Sequence, residues 1–198
     1  MNEIVKANYT SYKERPDFAV YHPNGKGTGC AFRMNLHPAY DDRDGCIMVS
    51  FANQNSVGNR RAAVTTYPTF DWKNRVSVKW DFADICKMIQ VLRGTSRALD
   101  GENGLYHRSA KYSTKITLKH ITEPLEGFAL SVYRAPALKT VSEPGQSARI
   151  VLTPWEALGI ALAFENSIGV VCFGIPKVVK TEAPVPAMVG GGRDVPAA

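Results

Sequence analysis

The sequence predicts an α+β fold made of two half-repeats, each a run of antiparallel strands that closes in a helix. Two stretches carry that reading. In Arg75 to Leu92, RVSVKWDFADICKMIQVL, Val76, Val78 and Trp80 alternate with Arg75, Ser77 and Lys79, as in a strand with one apolar and one cationic face. The period then turns helical: Asp81 is placed to cap, Asp84 sits in the first turn, and Phe82, Ile85, Ile89 and Leu92 form one apolar stripe. The same grammar returns about seventy residues later in Arg149 to Phe164, RIVLTPWEALGIALAF. There Ile150 and Leu152 alternate with Arg149 and Val151, Thr153 and Glu156 make a capping box, and Pro154 occupies the first helical position. Aligning the caps pairs Asp81 with Thr153, whereas aligning the apolar stripes pairs Phe82 with Trp155, one residue out of step.

Between these anchors the elements follow in order. Residues 1–16 are polar and read as a flexible arm. Phe18 to Tyr21 reads as a short strand, ended by the basic turn His22 to Gly27. Gly29 to His37 alternates, with Cys30, Phe32, Met34 and Leu36 on one face and Ala31, Arg33, Asn35 and His37 on the other. After an acidic turn over Pro38 to Gly45, Cys46 to Asn53 is a mostly apolar strand, covered on much of both faces. Gln54 to Pro68 reads as a hairpin tip or long ribbon, and Thr95 to Asn103 as a polar linker between the halves. The second half offers strands near Tyr106 to Lys111, Thr114 to His120 and Phe128 to Arg134. In the middle one, Thr114, Ile116 and Leu118 face in while Lys115, Thr117 and Lys119 face out. The helix from Pro154 to Phe164 is apolar almost all round, which requires burial on several sides and implies cover from another subunit. Val170 to Ile175 reads as a last extended segment. One domain is expected over residues 17–175, in halves of about 17–99 and 104–175, with a disordered tail over 176–198 rich in Pro, Ala, Val and Gly.

The chain has 198 residues, 44% of them hydrophobic, enough to bury a core. Its net charge of +6 points to a polyanionic partner. The charge is also localised: Gly104 to Thr122 holds Arg108, Lys111, Lys115, Lys119, His107 and His120 and no acidic residue. Cys30, Cys46, Cys86 and Cys172 lie far apart among apolar neighbours, which reads as small buried hydrophobes in a reducing compartment and not as a zinc or disulfide framework. No run approaches the eighteen or so apolar residues that cross a bilayer, and no signal-peptide core opens the chain, so a cytoplasmic protein without membrane contact is expected.

Enzyme signatures are missing. His22, His37, His107 and His120 show no metal-ligand spacing, and neither a G-x-S-x-G elbow nor a Walker loop occurs. Gly25 to Gly29, GKGTG, lacks Walker spacing and reads as a flexible turn; Asp41, Asp42 and Asp44 read as a solvated hairpin turn. No catalytic residue, metal or cofactor is expected. Nucleic-acid binding fits better. A sheet with one face covered by helices leaves the other face free for cations that track phosphates and aromatics that stack on unpaired bases, and such interleaving favours single strands over duplex. The candidate contacts are Lys26, Arg33, Arg60, Arg61, Arg75, Lys79, Arg108, Lys111, Lys115 and Lys119, with Tyr67, Trp72, Tyr106 and Tyr133 as stacking groups.

Two half-repeats of about four strands and a helix, with GCAFRMNL and STKITLKH strands and each half closing in strand then capped helix, resemble the Whirly proteins and the related positive-cofactor-four coactivators. The resemblance spans about Asp17 to Ile175. The Lys-Gly-Lys-Ala signature of plant Whirly proteins is absent, its nearest counterpart being Gly25 to Ala31, GKGTGCA. The resemblance implies single-stranded DNA held along β-ribbons, a homo-oligomer (a tetramer or a dimer) with helices at its centre, and no cofactor. It leaves room for RNA, since a related mitochondrial family handles guide RNA. A role in replication, recombination or transcription is expected, and a phage or plasmid single-stranded DNA-binding protein, working in the host cytoplasm, would suit the pattern. A regulator on the same fold and a purely oligomeric assembly protein are the competing readings.

Overall fold

Alternating apolar residues resolve into two antiparallel sheets whose inner faces share one core with two helices. The computed structural model describes residues 17–59, 61, 63–138 and 144–175. The expected arm over 1–16, the tail over 176–198 and the candidate contact Arg60 lie outside the described residues. The first sheet runs β1 (Phe18–His22), β2 (Cys30–His37), β3 (Cys46–Ser56), with β5 (Val76–Trp80) on the far side of β3. The two-residue β4 (Thr69–Phe70) pairs with the outer end of β3 across a register shift between Gln54 and Ser56. The second sheet runs β6 (Leu105–Arg108), β7 (Tyr112–Ile121), β8 (Gly127–Pro136), β9 (Gln146–Leu152). With β4 set aside the halves match element for element, and β5 and β9 feed α1 (Phe82–Leu92) and α2 (Pro154–Phe173).

The caps decide the internal register. The Asp81 side chain accepts from the Asp84 N–H at 3.0 Å, and the Thr153 side chain accepts from the Glu156 N–H at 3.3 Å, with each N3 carboxylate reaching back to the cap backbone. Each such cap contributes about 1 kcal/mol to its helix. Trp80 and Leu152, the residues just before the caps, are both buried, so Asp81 is the counterpart of Thr153. Trp80 joins the layers, its ring 6.1 Å from Phe32 of β2 and 5.9 Å, edge-on, from Phe164 of α2. The helices lie against each other, tied by Arg93, whose guanidinium donates to both oxygens of Glu165 at 2.8 and 2.6 Å.

Several expectations need correcting. The buried side of α1 is Ile85, Met88, Val91 and Leu92; Phe82, assigned to the inward stripe, is 49% exposed. The stretch Val170 to Ile175 is no strand: α2 continues unbroken to Phe173. Asn166 and Ser167 look like loop residues, but their side chains bond back to the Leu162 and Ala163 carbonyls at 2.8 and 2.6 Å, so the helix absorbs them, and Gly174 ends it. At 20 residues, α2 is long and apolar enough to cross a bilayer, contrary to the reading that no run approaches that length. Its Ala157, Ile160, Ala161, Phe164 and Val171 pack into the shared core, while Trp155, Leu158, Leu162 and Phe173 stay exposed. The segment Thr95 to Asn103 is more than a polar linker, since Leu99, at the head of a 3₁₀ turn over Leu99–Glu102, is fully buried and Ala98 bridges to Lys119. The strand near Tyr106 stops at Arg108, where Ser109 and Tyr112 close a tight turn. Cys30 and Cys46 are buried as expected, but Cys172 is exposed.

Candidate nucleic-acid interface

The outer face of the second sheet is built by strand parity. On β7, Thr114, Ile116 and Leu118 are buried while Lys115 and Lys119 are exposed, as the alternation requires. Register then sets the neighbours: Lys115 stands opposite Tyr106 on one side and Tyr133 on the other, Thr117 opposite Ser131, and Ser131 opposite Arg149. Directly opposed residues in an antiparallel pair have Cβ atoms about 4.5–5.5 Å apart, close enough for a base to touch both a cation and a ring. Tyr106, Arg108 and Tyr133 are all exposed, and Lys111 sits in the turn between β6 and β7.

The end of the first sheet meets this face. Asn53 of β3 donates from Nδ2 to the Ser147 carbonyl of β9 at 2.9 Å. Between the sheets lies a cleft of about 590 Å³ lined on one side by Thr28, Gly29 and Asn53, and on the other by Lys115, Thr117, Ser131, Tyr133, Ser147 and Arg149. That volume falls within the roughly 300–1,000 Å³ of small-ligand clefts, suited to a few bases of an extended strand. Two cations, one aromatic ring, an amide and several hydroxyls face it, and no carboxylate lines it. Among the described residues, neither Lys115, Lys119 nor Arg149 ion-pairs with a carboxylate. Tyr133 lies against Gly145, where a Cβ would come within 2.5 Å of its hydroxyl, so the ring's seat depends on the missing side chain.

Other candidates fall elsewhere. Arg33 and Trp72 meet on the outer side of the first sheet, the guanidinium 4.1 Å from the indole centroid, within the range of a cation–π contact. Arg33 also ion-pairs with Asp17 at 3.0 Å, and Trp72 stands edge-on to Tyr21 at 6.4 Å, so both are engaged by neighbours. Arg75 donates to the Trp72 carbonyl at 2.8 Å, and Lys79 projects from β5 on the outer side. Arg61 and Tyr67 are exposed on the ribbon that follows β3, where Asn59 and Thr66 bridge. Lys26 is exposed on the turn that supplies Thr28 and Gly29 to the cleft. The sequence reading missed Arg149, Asn53 and the hydroxyls; Arg149 carried the outward parity of its strand, which was signal enough.

Arg134, on the inward parity at the end of β8, donates to the Ser77 carbonyl and faces the Tyr112 ring at 5.3 Å. Burial lowers its pKa, and it serves as a tie between the sheets. Burial likewise pushes the Cys30 thiol up to about 12, leaving it an inert packing group.

No family model and no curated protein matches the chain. Solved structures do. One is the plant transcriptional regulator PBF-2, at TM-score 0.62 and 14% identity over 79% of this chain and 82% of that one. Another is WHY1 from Arabidopsis thaliana, at TM-score 0.60 and 14% identity over 80% and 86%. A third is WHY3 from the same plant, at TM-score 0.58 and 15% identity over 79% and 90%. With two matched sheet-and-helix halves and these Whirly neighbours, the chain has a Whirly-like fold.

Proposed function

We propose that the chain is a non-enzymatic single-stranded nucleic-acid-binding protein, weakly sequence-selective, with single-stranded DNA as its main ligand and RNA as the alternative. One observation carries this: the cleft joins Lys115, Arg149 and Tyr133 with neutral hydrogen-bonding groups and excludes carboxylates. Cations supply sequence-independent, salt-sensitive attraction to phosphates, while a tyrosine face accepts any base that is free of a duplex. A role in transcription, replication or recombination follows from exposing or protecting single strands, and the neighbour PBF-2 is itself a transcriptional regulator.

The chain acts as a homo-oligomer in this reading. Its support is the outward side of α2, where Trp155 is 73% exposed, Phe173 89% and Leu162 44%. Gly159, Ala163 and Gly169 lie on the same exposed side, small enough to let a second helix approach closely. An apolar stripe of this kind calls for cover, and a copy of the same helix supplies it.

Fluorescence titration of fluorescein-labelled oligo-dT and of a labelled duplex at two salt concentrations tests the proposal. Single strands bind more tightly, and binding weakens as salt rises. Equal affinity for duplex, or no binding to either, overturns it.

A further inference from the structure

Gln54, next to Asn53 on β3, is a buried amide, 8% exposed, with all its hydrogen-bonding capacity in use. Its Oε1 accepts from the Asn24 N–H at 2.9 Å and the Gly29 N–H at 3.0 Å. Its Nε2 donates to the Asn24 carbonyl at 3.1 Å and the Ser56 carbonyl at 3.0 Å. Both ends of the Asn24 to Gly29 turn are thus fixed to one side chain. Within the turn, Asn24 Oδ1 accepts from the Lys26 and Thr28 N–H groups at 3.0 and 3.1 Å. At Gly29 a Cβ would run into the His22 carbonyl and Gln54 Oε1, so the docking needs glycine there. Gln54 itself does not line the cleft; the turn it holds does, through Thr28 and Gly29.

We infer that Gln54 is a positioning residue for strand binding: it docks the Asn24 to Gly29 turn onto β3, so that Thr28 and Gly29 wall the cleft and Lys26 stands beside it. The inference rests on the nucleic-acid reading of that cleft. A turn that is already ordered spares the ligand the entropy of ordering it, so the effect is one of pre-organisation. A Gln side chain suits the task because its amide presents acceptor and donors together to a backbone N–H and C=O of the same residue, as Asn24 receives it.

The test uses the full chain and oligo-dT. Gln54→Met keeps the side-chain length and removes every hydrogen bond; Lys26→Ala removes the cation; the double variant closes the cycle. In Q54M the Asn24 and Gly29 amides exchange at least about tenfold faster, affinity for oligo-dT falls about tenfold, and the slope of log affinity against log salt becomes shallower by about 0.7, one phosphate contact. Adding K26A to Q54M produces no further change of slope, because the lysine is already out of place. Gly29→Ala undoes the same docking from the other side and reproduces the phenotype if Q54M is too unstable to titrate. A purely structural role would lower the melting temperature and leave the slope alone. A folded Q54M with wild-type exchange at those two amides, or with wild-type affinity and slope, overturns the role of Gln54. A wild-type chain that fails to bind oligo-dT overturns the strand-binding reading itself, and this role with it.

Discussion

Replacing Lys115 and Arg149 together by alanine isolates the electrostatic part of the cleft. Both side chains are exposed, both line the cleft, and neither ion-pairs with a described carboxylate, so no folded-state partner is orphaned. Surface changes of this kind alter stability by no more than about 0.5 kcal/mol. Each phosphate neutralised on a single strand contributes about 0.7 to the slope of log affinity against log salt, so the double variant loses about 1.4. At 0.1 M salt that corresponds to about 5-fold in affinity per contact and about 25-fold for the pair, or about 2 kcal/mol. Anisotropy titrations of labelled oligo-dT between 0.05 and 0.3 M salt, on the order of the range where counter-ion release dominates, measure the slope directly. Tyr133→Ala serves as the contrast: it removes a stack worth about 1–3 kcal/mol and leaves the slope unchanged. A folded double variant with the wild-type slope would remove the cleft from the binding surface and refute the assignment.

The remaining predictions concern assembly and pH. Leu162→Glu places a charge in the exposed apolar side of α2 without touching the core, and sizing by light scattering returns a smaller species than the wild type if that side is covered by a second copy. His107 Nε2 lies 3.0 Å from Asp84, and the hydrogen bond with that carboxylate, helped by the charges of Asp84 and Asp81 and opposed by burial, raises the histidine pKa above its usual 6.5. The pair therefore contributes fully below about pH 6.5 and its contribution is lost as pH rises through the folded pKa. The gap in melting temperature between wild type and His107→Gln is widest near pH 6 and closes in mildly alkaline buffer; a gap that does not change with pH refutes the pairing. Glu156 behaves oppositely. Burial raises its pKa, but hydrogen bonds with His22 and with Thr153 outweigh it and leave the carboxyl below its usual value. The stability Glu156 brings is present above its unfolded pKa of about 4.5 and fades as pH falls through the folded one, so Glu156→Gln narrows the difference from wild type in acid.

Local chemistry made much of this fold legible. Period-two alternation placed Lys115 and Lys119 outward and Ile116 and Leu118 inward, and the two capping signatures located the starts of both helices to the residue. Failures came where local signals compete with back-bonding or with tertiary contacts. Val170 and Val171 favour strands, and Asn166 and Ser167 favour turns, yet side chains bonded to the preceding turn carry α2 through all four. Arg33 has the outward parity of a phosphate-tracking residue, but residues distant in sequence, Asp17 and Trp72, take up its charge and its face.

The same division runs through the candidate site. Parity supplies one wall, because Lys115, Tyr133 and Arg149 need only know their own strands and register. The other wall exists because Asn53 reaches the Ser147 carbonyl, 94 positions away, and because Gln54 pins a turn that began about thirty residues earlier. No periodicity encodes such a meeting. Gln54 reads in the sequence as one polar residue in a polar ribbon, and only its burial against four backbone groups separates it from Asn55, its exposed neighbour. A residue that organises a site without touching the ligand leaves its trace in satisfied hydrogen bonds. In this protein those bonds hold the lysine-bearing turn to β3 of its own half, and the Asn53 bond to the Ser147 carbonyl brings that half against the second sheet, so the cleft is a property of the two halves together and belongs to neither half-repeat alone.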